Sequence, residues 1–416
     1  MRSACENLQF LRQCNASTPS FDSHSTSHRH HLIMWKWAQG AVASVAGTAE
    51  PEYGEEAFRS VDKSVESINP YGELTVKDLE WKVPNQSHVE TQTFYFQDHE
   101  SGYFGFVQLI HSNPVNISFT SQFTSLIVSA KDGSFKKWVS VNLDDFEIDG
   151  ANCKAANGFS ITLNKEGTEY LFNSGNVCED VHINLKFSVV DKGFKIGEDG
   201  QSKYGTDLNE PWGMMAHWFW PRAVGSGFIK FDTTFLESKN MACMFVKALQ
   251  GMKPHHAAAR WNFLNFQGPS VSMIVMEFVT PKSYGCSRSS IGGVVKDGKL
   301  IATAVNVKVE HIGSEKDEVE WPVPKEISFT LDGPDPASPS NAPTVHATVH
   351  GKLDRLVARM DVMAELPAFV KRVAAGISGT NPFIYVFSNP MKVEIDTKDG
   401  KFVEEGVCYN EATFIS

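Results

Sequence analysis

The 416-residue chain contains no long apolar run and no excess of basic residues. Because no stretch reaches about eighteen apolar residues, we predict no membrane-spanning helix. The formal net charge of −11 argues against a general nucleic-acid-binding surface. The seven cysteines are scattered, without a Cys-x-x-Cys pair, which is typical of free thiols in a reducing compartment rather than of a disulfide framework or a zinc site.

The common catalytic motifs are also missing, since the chain has no HExxH, GxSxG, GxGxxG or P-loop sequence. The most catalytic-looking segment is Lys253–Asn262, which contains His255 and His256. Adjacent residues of a strand point to opposite faces, so we predict no metal site here and no cofactor. Convergence of Glu210, His217 and His255 as acid, base and orienting group stays open. Two roles are favoured over catalysis: hydrogen bonding to the polar head of a ligand, and satisfied polar groups inside a barrel. The predicted head-group residues are His217, His255, Arg260 and Asn262.

What the chain does have is a β pattern, with enough length for two domains. From about residue 80 onwards, apolar and polar residues alternate in short runs such as 181–189, 305–309 and 345–349. Asp-Gly pairs beginning at residues 132, 149, 199, 297, 332 and 399, with Asn157-Gly158, are typical of hairpin turns. These patterns predict an all-β sandwich or barrel.

The stretch Glu210–Gly227 is unusually dense in aromatic residues and precedes an apparent strand, Phe228–Phe231. We interpret it as the place where the chain passes from one half to the other, with the boundary between residues 222 and 223. Two roles remain open: filling of a core where two β-layers meet, and the wall of an apolar ligand chamber. We predict a chamber between the two halves, lined or closed by Trp212, Trp218, Phe219, Trp220, Trp261 and Phe263.

The first fifty residues differ from the rest of the chain. Residues 1–33 are polar and rich in Ser, Thr and His, which predicts a disordered extension. Residues 34–49 form an amphipathic pattern with a nearly uncharged polar face, which is typical of helices that lie in a bilayer interface. A helix docked on its own domain is the alternative. The predicted membrane-contacting residues are Met34, Trp35, Trp37, Ala38, Ala41, Val42 and Val45.

Five long blocks resemble the fungal survival-factor family. They are MWKWAQGAVASVAGTAEPEYG (34–54), VETQTFYFQDHESGYFGFVQLIHSNP (89–114), EPWGMMAHWFWPRAVGSG (210–227), ALQGMKPHHAAARWNFLNFQ (248–267) and NPFIYVFSNP (381–390). The resemblance runs from Met34 nearly to the C-terminus and leaves residues 1–33 outside it. Members of that family are ceramide-binding proteins linked to sphingolipid synthesis and to survival of oxidative stress.

The resemblance implies an N-terminal amphipathic helix followed by two tandem lipocalin-like (calycin-type) antiparallel β-barrels, at residues 50–222 and 223–416. It implies a cytoplasmic protein, with the nucleus as a further location, that associates peripherally with endoplasmic reticulum and cis-Golgi membranes. Ceramide carriage between these membranes is the implied function, and no catalytic residue is carried over. Because the carotenoid hydratase group is a distant relative in fold, a hydratase or isomerase of an apolar substrate is the alternative. A scaffold with filled barrels that acts through partners is the third hypothesis.

Overall fold

The computed structural model describes residues 51–114, 116, 118–129, 135–365 and 380–416. The predicted extension at residues 1–33 and the predicted helix at residues 34–49, with all its membrane-contacting residues, lie outside this part. Within the described residues, no helix is long and apolar enough to cross a membrane.

Strands dominate the described chain. The strands of the first sheet are β1 (Phe58–Arg59), β2 (Tyr71–Glu73), β3 (His88–Asp98), β4 (Tyr103–Asn113), β5 (Thr120–Ser129), β6 (Lys136–Asn142), β7 (Glu147–Asp149), β8 (Asn152–Lys154), β9 (Ser160–Leu163), β10 (Glu169–Asn173), β11 (Val181–Val189), β12 (Phe194–Ile196), β13 (Gln201–Tyr204), β14 (Gly213–Phe231) and β15 (Thr234–Gln250). The strands of the second sheet are β16 (Arg260–Gln267), β17 (Val271–Val279), β18 (Arg288–Lys296), β19 (Lys299–Val305), β20 (Lys308–Lys316), β21 (Pro322–Gly333), β22 (Val345–Lys352), β23 (Leu356–Asp361), β24 (Phe383–Thr397) and β25 (Gly400–Phe414).

Helices in the described part are single turns that connect strands. They are α1 (Val61–Ser64), α2 (Val76–Leu79), α3 (Pro254–Ala257) and α4 (Val362–Glu365), with 3₁₀ turns at Glu55–Ala57, Ala156–Gly158 and Lys282–Tyr284. Because these helices are short, the core is formed by the sheets.

Both sheets are antiparallel and curled, each forming a half-barrel. The main strand order is β6-β5-β4-β3-β15-β14-β11-β10-β9-β8-β7 in the first half-barrel and β19-β18-β17-β16-β25-β24-β22-β21-β20 in the second. In each order, a strand from the beginning of the sheet lies beside one from its end, β3 beside β15 and β16 beside β25. The predicted all-β, lipocalin-like class is confirmed.

Three large layers of buried apolar side chains, with two smaller clusters, hold the described part together. Phe94, Phe123 and Phe187 belong to the core of the first half-barrel. Leu264 and Phe329 belong to the core of the second. A third layer contains side chains from both sheets, so the outer face of each half-barrel is partly buried against the other. This layer includes Tyr95, Phe106, Phe219, Met244, Phe263, Ile274 and Tyr409. We call this layer the inter-sheet interface.

The change from the first sheet to the second lies later than predicted. The predicted boundary between residues 222 and 223 falls inside β14, and both β14 and β15 belong to the first sheet. From Gly213 onwards the aromatic stretch therefore belongs to one continuous strand, and the chain passes to the second sheet between Gln250 and Arg260. Its sequence shows no alternation because both faces are buried, with Trp220 in the first core and Phe219 in the inter-sheet interface.

The shorter alternating runs had mixed outcomes. The run at residues 181–189 is β11, and the run at 345–349 lies in β22, as predicted. The run at 305–309 is not one strand, since Asn306 has a φ of 57° and separates β19 from β20. Asp297 and Gly298, with φ values of 50° and 75°, form the predicted hairpin turn. Asp332 and Gly333 instead continue β21.

Candidate functional site

The six aromatic residues predicted to line a chamber occupy separate environments. Trp220 packs in the first core, 5.2 Å from Tyr170 between ring centroids. Trp218 lies on the same face of β14 in a smaller cluster with Ala216 and Leu249. Strand alternation directs Phe219 to the opposite face, where it joins Phe263 in the inter-sheet interface. Partly buried Trp212 and Trp261 pack against the cluster that contains Tyr204 and Tyr284.

The cavities are far smaller than a lipid. One of about 10 Å³ lies in the first half-barrel, where Phe96 and Ile229 help to line it. A second, also of about 10 Å³, lies between the sheets beside Tyr95, Asn265 and Tyr409. Each has room for about one water molecule, whereas pockets for drug-sized ligands occupy about 300–1,000 Å³. Neither of these two cavities could hold a larger ligand unless the surrounding side chains moved.

The residues predicted to bind a ligand head also have different neighbours. His217 is buried and stacks on Phe219 with ring centroids 6.0 Å apart, and burial lowers its pKa to about 4. Asn262 donates to the Glu277 carboxylate at 2.9 Å and accepts from His311 Nε2 at 2.7 Å. Exposed Arg260 begins β16.

His255 and His256 lie on α3, which corrects the expectation that they belong to a strand. Pro254 occupies the first turn of this helix, where its fixed φ favours helix initiation. The two rings are 4.0 Å apart between centroids. In the described ranges, no group of three or more His, Cys, Asp or Glu side chains is arranged to hold a metal ion.

A cluster of polar residues that sequence reasoning missed lies inside the first half-barrel. We call it the polar end, and it comprises His88, Glu90, Gln92, His111, Trp218 and Lys247. Along β3, every second residue from 88 to 96 points to the inward face. These residues are His88, Glu90 and Gln92, followed by Phe94 and Phe96. The signal present in the sequence was this change from polar to aromatic residues at a spacing of two.

A fully buried ion pair lies at the centre of the polar end. Lys247 Nζ is 2.7 Å from Glu90 Oε1, and neither side chain is exposed to solvent. The carboxylate also accepts hydrogen bonds of 3.0 Å from the backbone N–H groups of Lys82 and Val83. The ammonium lies 4.1 Å from the centre of the Trp218 ring. Burial lowers the pKa of Lys247 to about 8, although the Glu90 charge opposes this shift.

Several other buried polar atoms in this region have no hydrogen-bond partner among the described residues. The acceptors are Gln92 Oε1, Asn113 Oδ1 and His88 Nε2, and the donors are the indole N–H groups of Trp81 and Trp218. Lys247 Nζ is a further donor, since within the described chain it makes no hydrogen bond beyond its ion pair with Glu90. His88 Nε2 is an acceptor because Nδ1 faces the Gln86 carbonyl at 2.8 Å and must carry the proton. Buried polar groups are normally paired with protein atoms or with ordered water. These atoms can therefore still donate or accept hydrogen bonds at the polar end.

Aromatic side chains cover the polar end. His111 is 2.8 Å from Ser121 Oγ through its Nδ1 and stacks on Phe119 and Phe146, with centroid distances of 5.4 and 5.2 Å. Burial, followed by the effect of nearby His88, lowers the pKa of His111 to about 4. Phe119 is 53 % exposed, so one of the covering rings already faces solvent.

Solved structures show similarity at the level of the fold. A kievitone hydratase from Nectria haematococca has a TM-score of 0.52 and 10% sequence identity, covering 86% of this chain and 98% of its own. An AttH candidate from Nitrosomonas europaea has a TM-score of 0.54 and 11% identity, covering 82% and 97% of the two chains. At these identities, the similarity supports the fold alone.

Sequence relatives match far more closely. Ceramide-binding protein SVF1 of Yarrowia lipolytica is 46% identical over 401 residues, which cover 92% of this chain and all of the relative. The protein of the same name from Candida albicans is 42% identical over 390 residues, with the same coverage. The Svf1 family profile matches residues 35–416. This chain belongs to the Svf1 family.

Proposed function

We propose that this protein binds ceramide and carries it between endoplasmic reticulum and early Golgi membranes. The observation that supports this most is the 46% identity to a ceramide-binding protein along that relative's whole length. Support of sphingolipid synthesis and of survival under oxidative stress belongs to the same proposal. We also propose a cytoplasmic location with peripheral attachment to both membranes, and the nucleus as a further location.

A carrier is physically useful because ceramide crosses water very slowly. A long-chain ceramide has on the order of 30 methylene groups, and exposing each one costs about 0.8 kcal/mol. The total of roughly 24 kcal/mol opposes unassisted transfer. The two apolar cores and the inter-sheet interface supply shelter of matching chemistry. Because the cavities are small, we propose that ceramide enters through an opening of these layers at the membrane.

The proposal requires no catalytic step. The hydratase-like alternative is supported only by the fold shared with kievitone hydratase at 10% identity. It would need an acid and a base around a substrate cavity, whereas His217 and His255 have separate neighbours in the structure. Carrier activity is therefore the function to test first.

The first prediction is that ceramide accompanies the protein. Protein purified from a ceramide-producing host should release about one ceramide per folded molecule on solvent extraction, measured by lipid mass spectrometry. Purified protein should also accelerate ceramide movement from donor to acceptor vesicles. An unrelated lipocalin-like protein purified from the same host is the control. Ceramide content no higher than in this control, together with absent transfer, would contradict the proposal.

A further inference from the structure

We infer that the polar end of the first half-barrel holds the head group of the bound lipid and selects a neutral head that carries hydroxyl or amide donors. This inference rests on the proposed lipid-carrier function and adds the position and chemistry of the head-group site. The apolar interior of the same half-barrel would then hold a hydrocarbon chain.

Strand register brings the polar residues together from distant parts of the chain. Gln92 of β3 pairs with Lys247 of β15, which in turn pairs with Trp218 of β14. In the next row of the same face, Glu90 pairs with His111 of β4. The rows are adjacent because inward side chains recur at every second position of a strand.

The row on the other side of Gln92 is entirely apolar. Phe94 pairs with Phe245, and Phe245 pairs with Trp220, all in the core of the first half-barrel. The interior thus changes from polar to aromatic within one step along the strands. A molecule with a polar head and an apolar chain matches this gradient when its head lies at the polar end.

The unpartnered atoms specify the kind of head group. The Gln92 Oε1, Asn113 Oδ1 and His88 Nε2 atoms are acceptors and require donors. The indole N–H groups of Trp81 and Trp218 are donors and require an acceptor. Hydroxyl groups and an amide N–H would satisfy the acceptors, and an amide carbonyl would satisfy an indole. An unphosphorylated sphingolipid head carries these groups.

Charge disfavours the phosphorylated equivalents of such a lipid, because the second ammonium near the site, that of Lys82, lies 5.9 Å from the centre of the Trp218 ring and donates to the Lys77 carbonyl at the exposed surface. The Lys247 ammonium is already paired with the Glu90 carboxylate and packed on the Trp218 ring, so the buried pair has no net charge. A phosphate would place further acceptor oxygens near three unpartnered acceptors, and its charge near the Glu90 carboxylate would be unfavourable. We therefore expect ceramide to bind and ceramide 1-phosphate to be rejected.

The cover of the polar end provides a short route for the head group. The Phe119 ring stacks on His111 and lies 5.7 Å from the His88 ring between centroids, yet it is 53 % exposed. Because Phe119 precedes β5, its ring can rotate without breaking a strand pair. Rotation removes one of the rings that cover the two histidines, while Phe146 still stacks on His111. The site can then exchange its head group while both sheets remain intact.

The test compares N-palmitoyl ceramide with its 1-phosphate, each offered in phosphatidylcholine vesicles to the full-length protein. The parent should retain ceramide at least about tenfold better than the phosphate. Gln92→Leu removes an unpartnered acceptor and a long hydrogen bond of 3.5 Å from Nε2 to the Ala151 carbonyl, and it keeps a similar shape. Retention should therefore fall by about tenfold while the melting temperature changes little. Trp218→Phe, which removes the indole N–H together with part of the buried ring system and keeps an aromatic ring beside Lys247, should also weaken retention per folded molecule.

Gln108→Leu is the matched control because it makes the same change on the neighbouring strand β4. Both polar atoms of the Gln108 amide have partners, since Nε2 donates to Thr93 at 2.7 Å and Oε1 accepts from Thr124 at 3.1 Å. This control should lower the melting temperature and leave ceramide retained per folded molecule unchanged.

The outcomes distinguish this inference from the proposed function. If the Gln92→Leu and Trp218→Phe variants retain ceramide as well as the parent does, the assignment of the site is wrong. The carrier function would still stand. Equal retention of ceramide and ceramide 1-phosphate would overturn the selection of a neutral head. A parent that retains no ceramide would contradict the proposed function and, with it, this inference.

Discussion

At the scale of single residues, burial shifts ionisable groups in opposite directions. It raises the pKa of Glu411 to about 7, against opposing hydrogen bonds from Tyr409 and Trp261. A carboxyl group with a raised pKa binds more protons in the folded state, so its contribution to stability is lost as the pH rises from about 4.5 to 7. Burial lowers the pKa of His217 and His311 to about 4, which makes stability rise with pH between about 4 and 6.5. These contributions oppose one another in the parent.

The Glu411→Gln variant should isolate the carboxyl contribution. The parent loses stability between pH 5 and pH 8 as this carboxyl group ionises, whereas the amide of the variant cannot ionise. The unfolding free energy of the variant minus that of the parent should therefore increase by about 2 kcal/mol over this range. Urea unfolding at both pH values provides the measurement. Glu405→Gln is the control, because Glu405 is exposed and pairs with exposed Lys392. Identical pH dependence in the parent and in Glu411→Gln would show that this carboxyl group ionises normally.

At the scale of elements, one side chain of β14 joins the two sheets. The Arg222 guanidinium donates to the carbonyl groups of Gly268, Pro269 and Val271 and to Ser272 Oγ, at 2.8 to 3.2 Å. These acceptors lie in and beside the turn between β16 and β17. The strand thus fixes the position of a hairpin in the opposite sheet through four hydrogen bonds from a charged donor.

Arg222→Ala should lower the unfolding free energy by about 2–4 kcal/mol, because several partly buried acceptors lose a charged donor. Arg222→Lys should recover only part of this loss, since an ammonium group cannot reproduce the planar fork of donors. Chemical denaturation of the parent and both variants gives the comparison. Full recovery by lysine, or an alanine variant as stable as the parent, would rule out this role for the guanidinium.

The elements also show how far the sequence could be interpreted. Val181–Val189 was predictable because one face is buried and the other is more exposed, which produces alternation. Gly213–Phe231 was misinterpreted because each face contacts a different apolar layer, and no period of two remains. The polar end was missed because Gln92 and Lys247 meet only through the pairing of β3 with β15. A pairing between distant strands leaves no local pattern in the sequence.

At the scale of the whole molecule, lipid carriage requires contact with a membrane. We propose that residues 34–49 provide this contact, since their apolar arc carries Trp35, Val42 and Val45 and their polar face is nearly uncharged. The described part supplies sheltered apolar layers, and this segment would bring them to the bilayer. The membrane role and the lipid-binding role can therefore be separated by mutation.

Val42→Asp should weaken binding to Golgi-like liposomes by at least about tenfold, because it places a charge on the apolar arc. Ser44→Asp is the matched control, since it adds the same charge to the polar face. Liposome flotation measures binding, and circular dichroism checks that the β-fold is retained. Equal flotation of the parent and Val42→Asp would remove this segment as the membrane contact.

The pairing of β3 with β15 has a consequence for synthesis of the protein. The sheet can begin to form early, because consecutive strands pair from β3 to β6. The other edge of β3 stays unpaired until β15 is synthesised, well over 100 residues downstream. At a translation rate of about 5–20 residues per second, this delay lasts roughly ten to thirty seconds. A half-finished sheet with an apolar face and an open edge is prone to aggregation. We therefore expect the nascent chain to need shielding of this edge until Gln250 has left the ribosome.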